Sequence, residues 1–177
     1  MKEFISAFLQ LVLYICVSGL ISNFVGFLIR RDRINADAFP YISFKWEKNG
    51  EIYRALGVQK WKNKLPDMSK YLKKLLYPKT MGLRPSLFQV ERLIKESCVA
   101  ECIHTMLIAA SPLISYFIDG PYGELLTLLY ALGNVPFIII QRYNRPQLKS
   151  LYAQLLERKH IKQASEGRKN ESPDIVM

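Results

Sequence analysis

Glu101 and His104 stand three residues apart at the start of a long apolar stretch, where an ionisable side chain needs a reason to be. On a helix, that spacing puts the two side chains on one face, roughly 60° apart in projection. A histidine there can take the proton of a hydroxyl while the carboxylate fixes its tautomer. The matching chemistry is transfer of an activated acyl group, arriving from the aqueous side, to a hydroxyl on a lipid-anchored acceptor. The plainer alternative is that Glu101 pairs with Arg142 to lock two helices and His104 bonds a backbone carbonyl.

The elements that must position this pair are apolar blocks. Half of the 177 residues are hydrophobic, gathered into long runs separated by basic stretches, which predicts a small all-α integral membrane protein with about three transmembrane helices. Residues 4–29 carry no charge and are long enough to cross a ~30 Å hydrocarbon layer. The block is longer than the apolar region of a signal peptide and lacks a small-x-small site before Arg30, Arg31 and Arg33, so it is expected to be an uncleaved span. Residues 97–118 and 124–141 are the second and third spans, joined by the turn residues Asp119, Gly120, Pro121, Tyr122 and Gly123, and therefore antiparallel. Residues 30–96 form an amphipathic loop on the membrane surface, and 142–177 a basic tail, disordered from Ala164. By the positive-inside rule both are cytoplasmic in a cell-membrane protein.

Turning the hairpin near residue 121 sets Glu101 opposite Gln141 and His104 opposite Ile138, with Arg142 within reach of Glu101. Asn134 then faces the layer near Ile108 and offers an amide. Arg142, Asn144 and Arg145 are the nearest donors for negative charge developing on a thioester oxygen. Lys62 and Lys64 can hold the phosphates of an acyl carrier. Each of these cations, taken singly, also reads as an ordinary interfacial anchor.

The surface loop interleaves Trp46, Tyr53, Trp61, Tyr71 and Tyr77 with lysines, the composition of segments whose rings sit among headgroups. Glu47–Leu56 reads as a short helix stopped by Gly57, and Ser86 with Gln89 as a capping box opening a new helix. The formal net charge of +10 is explained by membrane lipids, since the basic residues flank apolar blocks and no nucleic-acid motif is present. Cys16, Cys98 and Cys102 have no metal-like or disulfide spacing, so no metal and no cofactor are expected. Ser18, Ser22 and Gly26 form a small-residue stripe suited to helix contact. His-x4-Asp, Gly-x-Ser-x-Gly, Walker and His-Glu-x-x-His signatures are missing.

Three segments carry a resemblance. They are Lys60-Trp61-Lys62 with Lys64 and Asp67 following, the Ala100-Glu101 and Ile103-His104 element, and Asn134-Val135-Pro136 through Gln141-Arg142-Tyr143-Asn144-Arg145-Pro146. Across roughly residues 44–148 the chain resembles the glycosyl-4,4'-diaponeurosporenoate acyltransferase family of the staphyloxanthin pathway. The resemblance implies a membrane acyltransferase that esterifies a sugar hydroxyl of a glycosylated carotenoid, or another glycolipid, using acyl-CoA or an acyl carrier protein as co-substrate. It favours Glu101 and His104 as catalytic residues. It also groups Trp61, Lys62, Lys64, Asp67, Asn134, Arg142, Asn144 and Arg145 as substrate-binding residues. A noncatalytic scaffold of a lipid pathway, docking through the Trp61 region, is the reading from another class.

Overall fold

A computed structural model describes residues 2–65, 85–118 and 120–170, all helix, turn or loop with no strand among them. Asp67, Tyr71, Tyr77, the turn residue Asp119 and the end of the tail from residue 171 lie outside the described residues. Helix α1 spans Lys2–Leu28. Two short helices, α2 (Glu51–Ala55) and α3 (Val58–Trp61), follow among single turns of 3-10 helix at Arg31–Arg33, Lys45–Gly50 and Lys62–Lys64. Helices α4 (Leu87–Ala110), α5 (Leu113–Phe117) and α6 (Pro121–Asn170) complete the chain. Three helical stretches, Phe4–Leu28, Leu87–Phe117 and Pro121–Glu166, are long and apolar enough to cross a membrane.

Helix α4 begins where the sequence signals it. Ser86 Oγ accepts the Gln89 N–H while Gln89 Oε1 accepts the Ser86 N–H, a reciprocal cap for two otherwise unpaired donors. Its far end breaks at Pro112, which has no N–H for the carbonyl of Ile108. Both the N–H and the hydroxyl of Ser111 bond that carbonyl instead. The next freed carbonyl, Ala110, accepts the Tyr14 hydroxyl of α1 at 2.8 Å. Backbone groups cannot stay unpaired in lipid, and α1 supplies a donor where the helix of the second span breaks.

Helices α4 and α6 share the largest interface, with α1 against one side of the pair. Gly26 is where α1 comes closest, since a Cβ there would lie 2.8 Å from Ile103 Cδ1. Ser18 shares a hydrogen bond with the Tyr130 hydroxyl, so the small-residue stripe is a helix contact. At the other end, Gly123 sits on the backbone of Ile118, with no room for a side chain.

The structure departs from the expected organisation in two places. Helix α6 does not stop near Gln141: it runs on for 50 residues in all, through Pro136 and Pro146, where a basic tail was expected. Beyond the apolar part, Leu148, Leu151, Tyr152 and Leu155 repeat at i, i+3, i+4 and i+7. That stripe packs on Val90, Ile94 and Cys98 of α4, and on Ala36. Tertiary burial therefore sustains a helix whose composition looks like a tail.

Secondly, residues 31–61, expected as a surface loop, pack against the long helices. Ile34, Ala36 and Tyr41 join the cluster beneath the α4–α6 pair. Tyr53, Val58 and Trp61 close around Tyr143, Ile139 and Ile140. The segment is a collar on the two long helices. Lys48, Asn49 and Gly50 turn it back with three successive left-handed residues, and Gly57 at φ 67° ends the following short helix as expected.

Candidate functional site

The centre of the collar is an alternating row of four charges, Glu47, Arg142, Glu101 and Arg145. Arg142 Nε donates to Glu101 Oε1 at 2.8 Å, the contact expected from the hairpin register. Its Nη1 donates to both oxygens of Glu47 at 2.8 and 2.9 Å, and its Nη2 to the Pro40 carbonyl at 2.6 Å. Arg145 Nη2 reaches Glu101 Oε2 at 2.5 Å, its Nε donates to Ser97 Oγ, and its Nη1 to the Tyr41 carbonyl. Phe44 and Tyr41 lie against the two guanidinium planes.

Glu47 was missed by sequence reasoning, which placed it on a surface helix between Lys45 and Lys48. It is 1% exposed, caps its own turn by accepting the Phe44 N–H, and accepts the Tyr53 hydroxyl. Burial, and then that bond to Glu47, hold the Tyr53 phenol well above its ordinary range. The row carries two negative and two positive charges and is neutral. A buried group of this kind stands only because each member is paired, and removing one partner costs about 3–5 kcal/mol.

This arrangement changes the expected roles of both arginines. Arg145 is 2% exposed, and each guanidinium makes four hydrogen bonds to protein oxygens. They bind the collar to the helices, which leaves little for a substrate. Both oxygens of Glu101 are likewise held by guanidinium groups.

His104 has a different neighbour from the one expected. Its Nδ1 lies 2.9 Å from Asn134 Oδ1, and its ring stacks on Phe137 at 4.6 Å and 9°. Asn134 is buried, and its amide nitrogen donates to the Tyr130 carbonyl at 2.9 Å. The oxygen of that amide is thus the atom turned to the imidazole, which makes Nδ1 the donor and Nε2 the nitrogen with the lone pair. Asn134, expected one turn deeper opposite Ile108, holds the tautomer that was assigned to Glu101. The half-buried ring and the buried amide are the one arrangement among the sequence-selected residues with the form of an oriented base.

Lys62 and Asn144 come together, Nζ to Oδ1 at 3.0 Å, with Nζ 4.9 Å from the centre of the Tyr143 ring. Asn144 follows Asn134 by ten residues, about 15 Å along the axis of α6, so this pair is not beside His104. Trp61 is half buried and donates to the Leu56 carbonyl, and Lys64 is exposed. Among the described residues no group of three His, Cys, Asp or Glu side chains converges as a metal site would require.

Comparison with known proteins gives this geometry a context. Residues 37–154, which include most of the collar, the charge row and the His104–Asn134 pair, match the family described as glycosyl-4,4'-diaponeurosporenoate acyltransferase (CrtO). A protein of that name from Staphylococcus aureus strain MRSA252 is 34% identical over 155 residues, covering 85% of this chain and 91% of the relative. Another, from strain Newman, is 33% identical over 163 residues, covering 90% and 95%. No solved structure matches the chain. A helical chain with three potential spans, matched to these relatives almost end to end, belongs to the glycosyl-4,4'-diaponeurosporenoate acyltransferase family.

Proposed function

We propose that this chain is a membrane enzyme that moves a fatty acyl group from a thioester to a sugar hydroxyl of a glycosylated carotenoid, the last step of a staphyloxanthin-type pigment. Family membership supports acyl transfer, and the names of the relatives support the acceptor. The observation that carries the mechanism is the His104–Asn134 pair. Nε2 of His104 takes the proton of the sugar hydroxyl as its oxygen attacks the thioester carbonyl. The C–S bond then breaks, and the imidazolium returns the proton to the departing sulfur. Asn134 and Phe137 hold the ring in place during both transfers.

Glu101, Arg142 and Arg145 are the frame of the site in this scheme, because their polar atoms are already engaged with one another. Lys62 and Asn144, about 15 Å further along α6, suit the phosphate end of an extended donor, acyl-CoA or acyl carrier protein, better than its carbonyl. The basic stretches after α1 and after the third apolar block support an orientation with the collar and the end of α6 in the cytoplasm of a cell-membrane protein.

The test is acyl transfer by purified protein supplied with a glycosylated carotenoid and a fatty acyl thioester, read as added acyl mass. His104→Ala should abolish product, and Asn134→Ala should lower kcat about 10- to 100-fold with KM little changed, both with native helical content. Full turnover in His104→Ala would refute the mechanism, and no transfer to any glycolipid by the wild-type protein would refute the reaction.

A further inference from the structure

The three arginines that follow α1 have three destinations. Arg31 turns inward, making a bidentate pair with Glu96 at 3.1 Å and capping the carbonyls of Gly26 and Ile29. Arg30 pairs with Asp32 across an exposed surface. The Arg33 guanidinium has no hydrogen-bond or ion-pair partner among the described residues, while its backbone N–H donates to the Arg30 carbonyl. Arg30 and Arg33 both line a cleft of about 500 Å³ between the end of α1 and the turns that follow it. That volume is within the range of small-molecule sites.

The cleft has two kinds of wall. Arg30, Arg33 and Asn35 form the polar one; the Asn35 oxygen accepts the Asp37 N–H, which leaves its amide hydrogens to a ligand. Leu28, Ile34 and Phe39 form the apolar one, and Phe39 is 78% exposed. With Asp32 set against Arg30, the polar wall keeps the positive charge of Arg33. Tyr41 closes the cleft, and its carbonyl and ring also hold Arg145, so the cleft adjoins the charge row.

We propose that this cleft binds a phosphate ester carried on an apolar or extended chain, with Arg33 as the principal anion partner and Arg30 as the second. A guanidinium offers paired donors to phosphate oxygens, and the position just past an apolar helix is where a phosphate with a lipid-side attachment meets a protein. The phosphate belongs either to a coenzyme A donor, as a group other than the one that Lys62 and Asn144 suit, or to a phospholipid headgroup. Binding is read without turnover, so the proposal does not depend on the acyl-transfer reading.

Two probes separate the sources: coenzyme A by equilibrium dialysis, and phosphatidylglycerol as a lipid adduct in native mass spectra, each with the full chain purified in detergent. Arg33→Gln should weaken the bound probe about tenfold and Arg30→Gln with Arg33→Gln about a hundredfold, while Arg33→Lys keeps most of the binding. Loss for coenzyme A assigns the cleft to the donor, and loss for phosphatidylglycerol to a lipid. Unchanged binding of both probes by the double variant, or binding of neither by the wild-type protein, would overturn the proposal. Because the Arg33 side chain bonds no described residue, its replacement should leave helical content and melting temperature unaltered, which circular dichroism checks.

Discussion

Replacing Glu101 by Gln separates a frame residue from a reacting one. The side chain keeps its shape but loses its charge, and one carboxylate oxygen becomes an NH2 facing a guanidinium. Arg142 at 2.8 Å or Arg145 at 2.5 Å then meets a donor in place of an acceptor, inside a site where the Arg145 side chain is only 3% exposed. Breaking a buried ion pair on one side costs about 3–5 kcal/mol. At about 2–4 °C per kcal/mol for a chain of this size, the melting temperature in detergent should fall by roughly 6–20 °C. His104→Ala removes, among its contacts, the hydrogen bond to Asn134 and the ring stack on Phe137, each worth about 0.5–1.5 kcal/mol, and should fall less. The assay is thermal unfolding of both variants beside acyl transfer measured well below the transition. A second check is the pair Glu101→Gln and Arg145→Gln, whose combined loss should be smaller than additive because the double change also removes the stranded charge. If Glu101→Gln melts within about 1 °C of wild type while transfer disappears, Glu101 belongs to the chemistry and the frame assignment is wrong.

Gly123→Ala would place a Cβ 1.9 Å from the Ile118 carbonyl oxygen, a backbone atom that cannot swing aside, so about 1–3 kcal/mol of stability should be lost, read as a lower melting temperature. Tyr53 gives a pH dependence: its folded phenol value is raised above the unfolded one, first by burial and then by Glu47, so its contribution is complete below about pH 10 and is lost as pH rises toward the folded value. Melting of wild type and Tyr53→Phe should therefore differ by a constant amount up to about pH 10 and converge above it; a difference that grows with alkali would contradict the burial of that hydroxyl.

Much of the scaffold is legible in the residues because lipid enforces simple rules. Apolar runs give three potential spans, the Ser86–Gln89 box marks the start of α4, and the hairpin register brings Arg142 to Glu101 as counted along two antiparallel helices. What stays hidden is set by long-range pairing. Glu47 lies among lysines and has no local sign of burial, since its partner is 95 positions away. Arg145 reads as an anchor for headgroups because its Ser97 and Tyr41 contacts come from separate elements. The His104–Asn134 contact differs from the counted register by about a turn. The extension of α6 was readable: the apolar spacing of Leu148, Leu151, Tyr152 and Leu155 is a helical stripe in a polar stretch.

The pairing of Glu101 with Arg142 and Arg145 also governs how such a chain is made. During synthesis α4 emerges first, carrying a carboxylate whose partners are still 41 and 44 residues away. An unpaired charge deep in an apolar segment raises the cost of insertion by about 2.5–3.5 kcal/mol at its worst position. Entry of α4 and α6 together, as a hairpin with Glu101 already paired at its base, removes that cost. The collar, made earlier, must wait for the hairpin before Glu47 meets Arg142, so the order of assembly runs opposite to the order of translation.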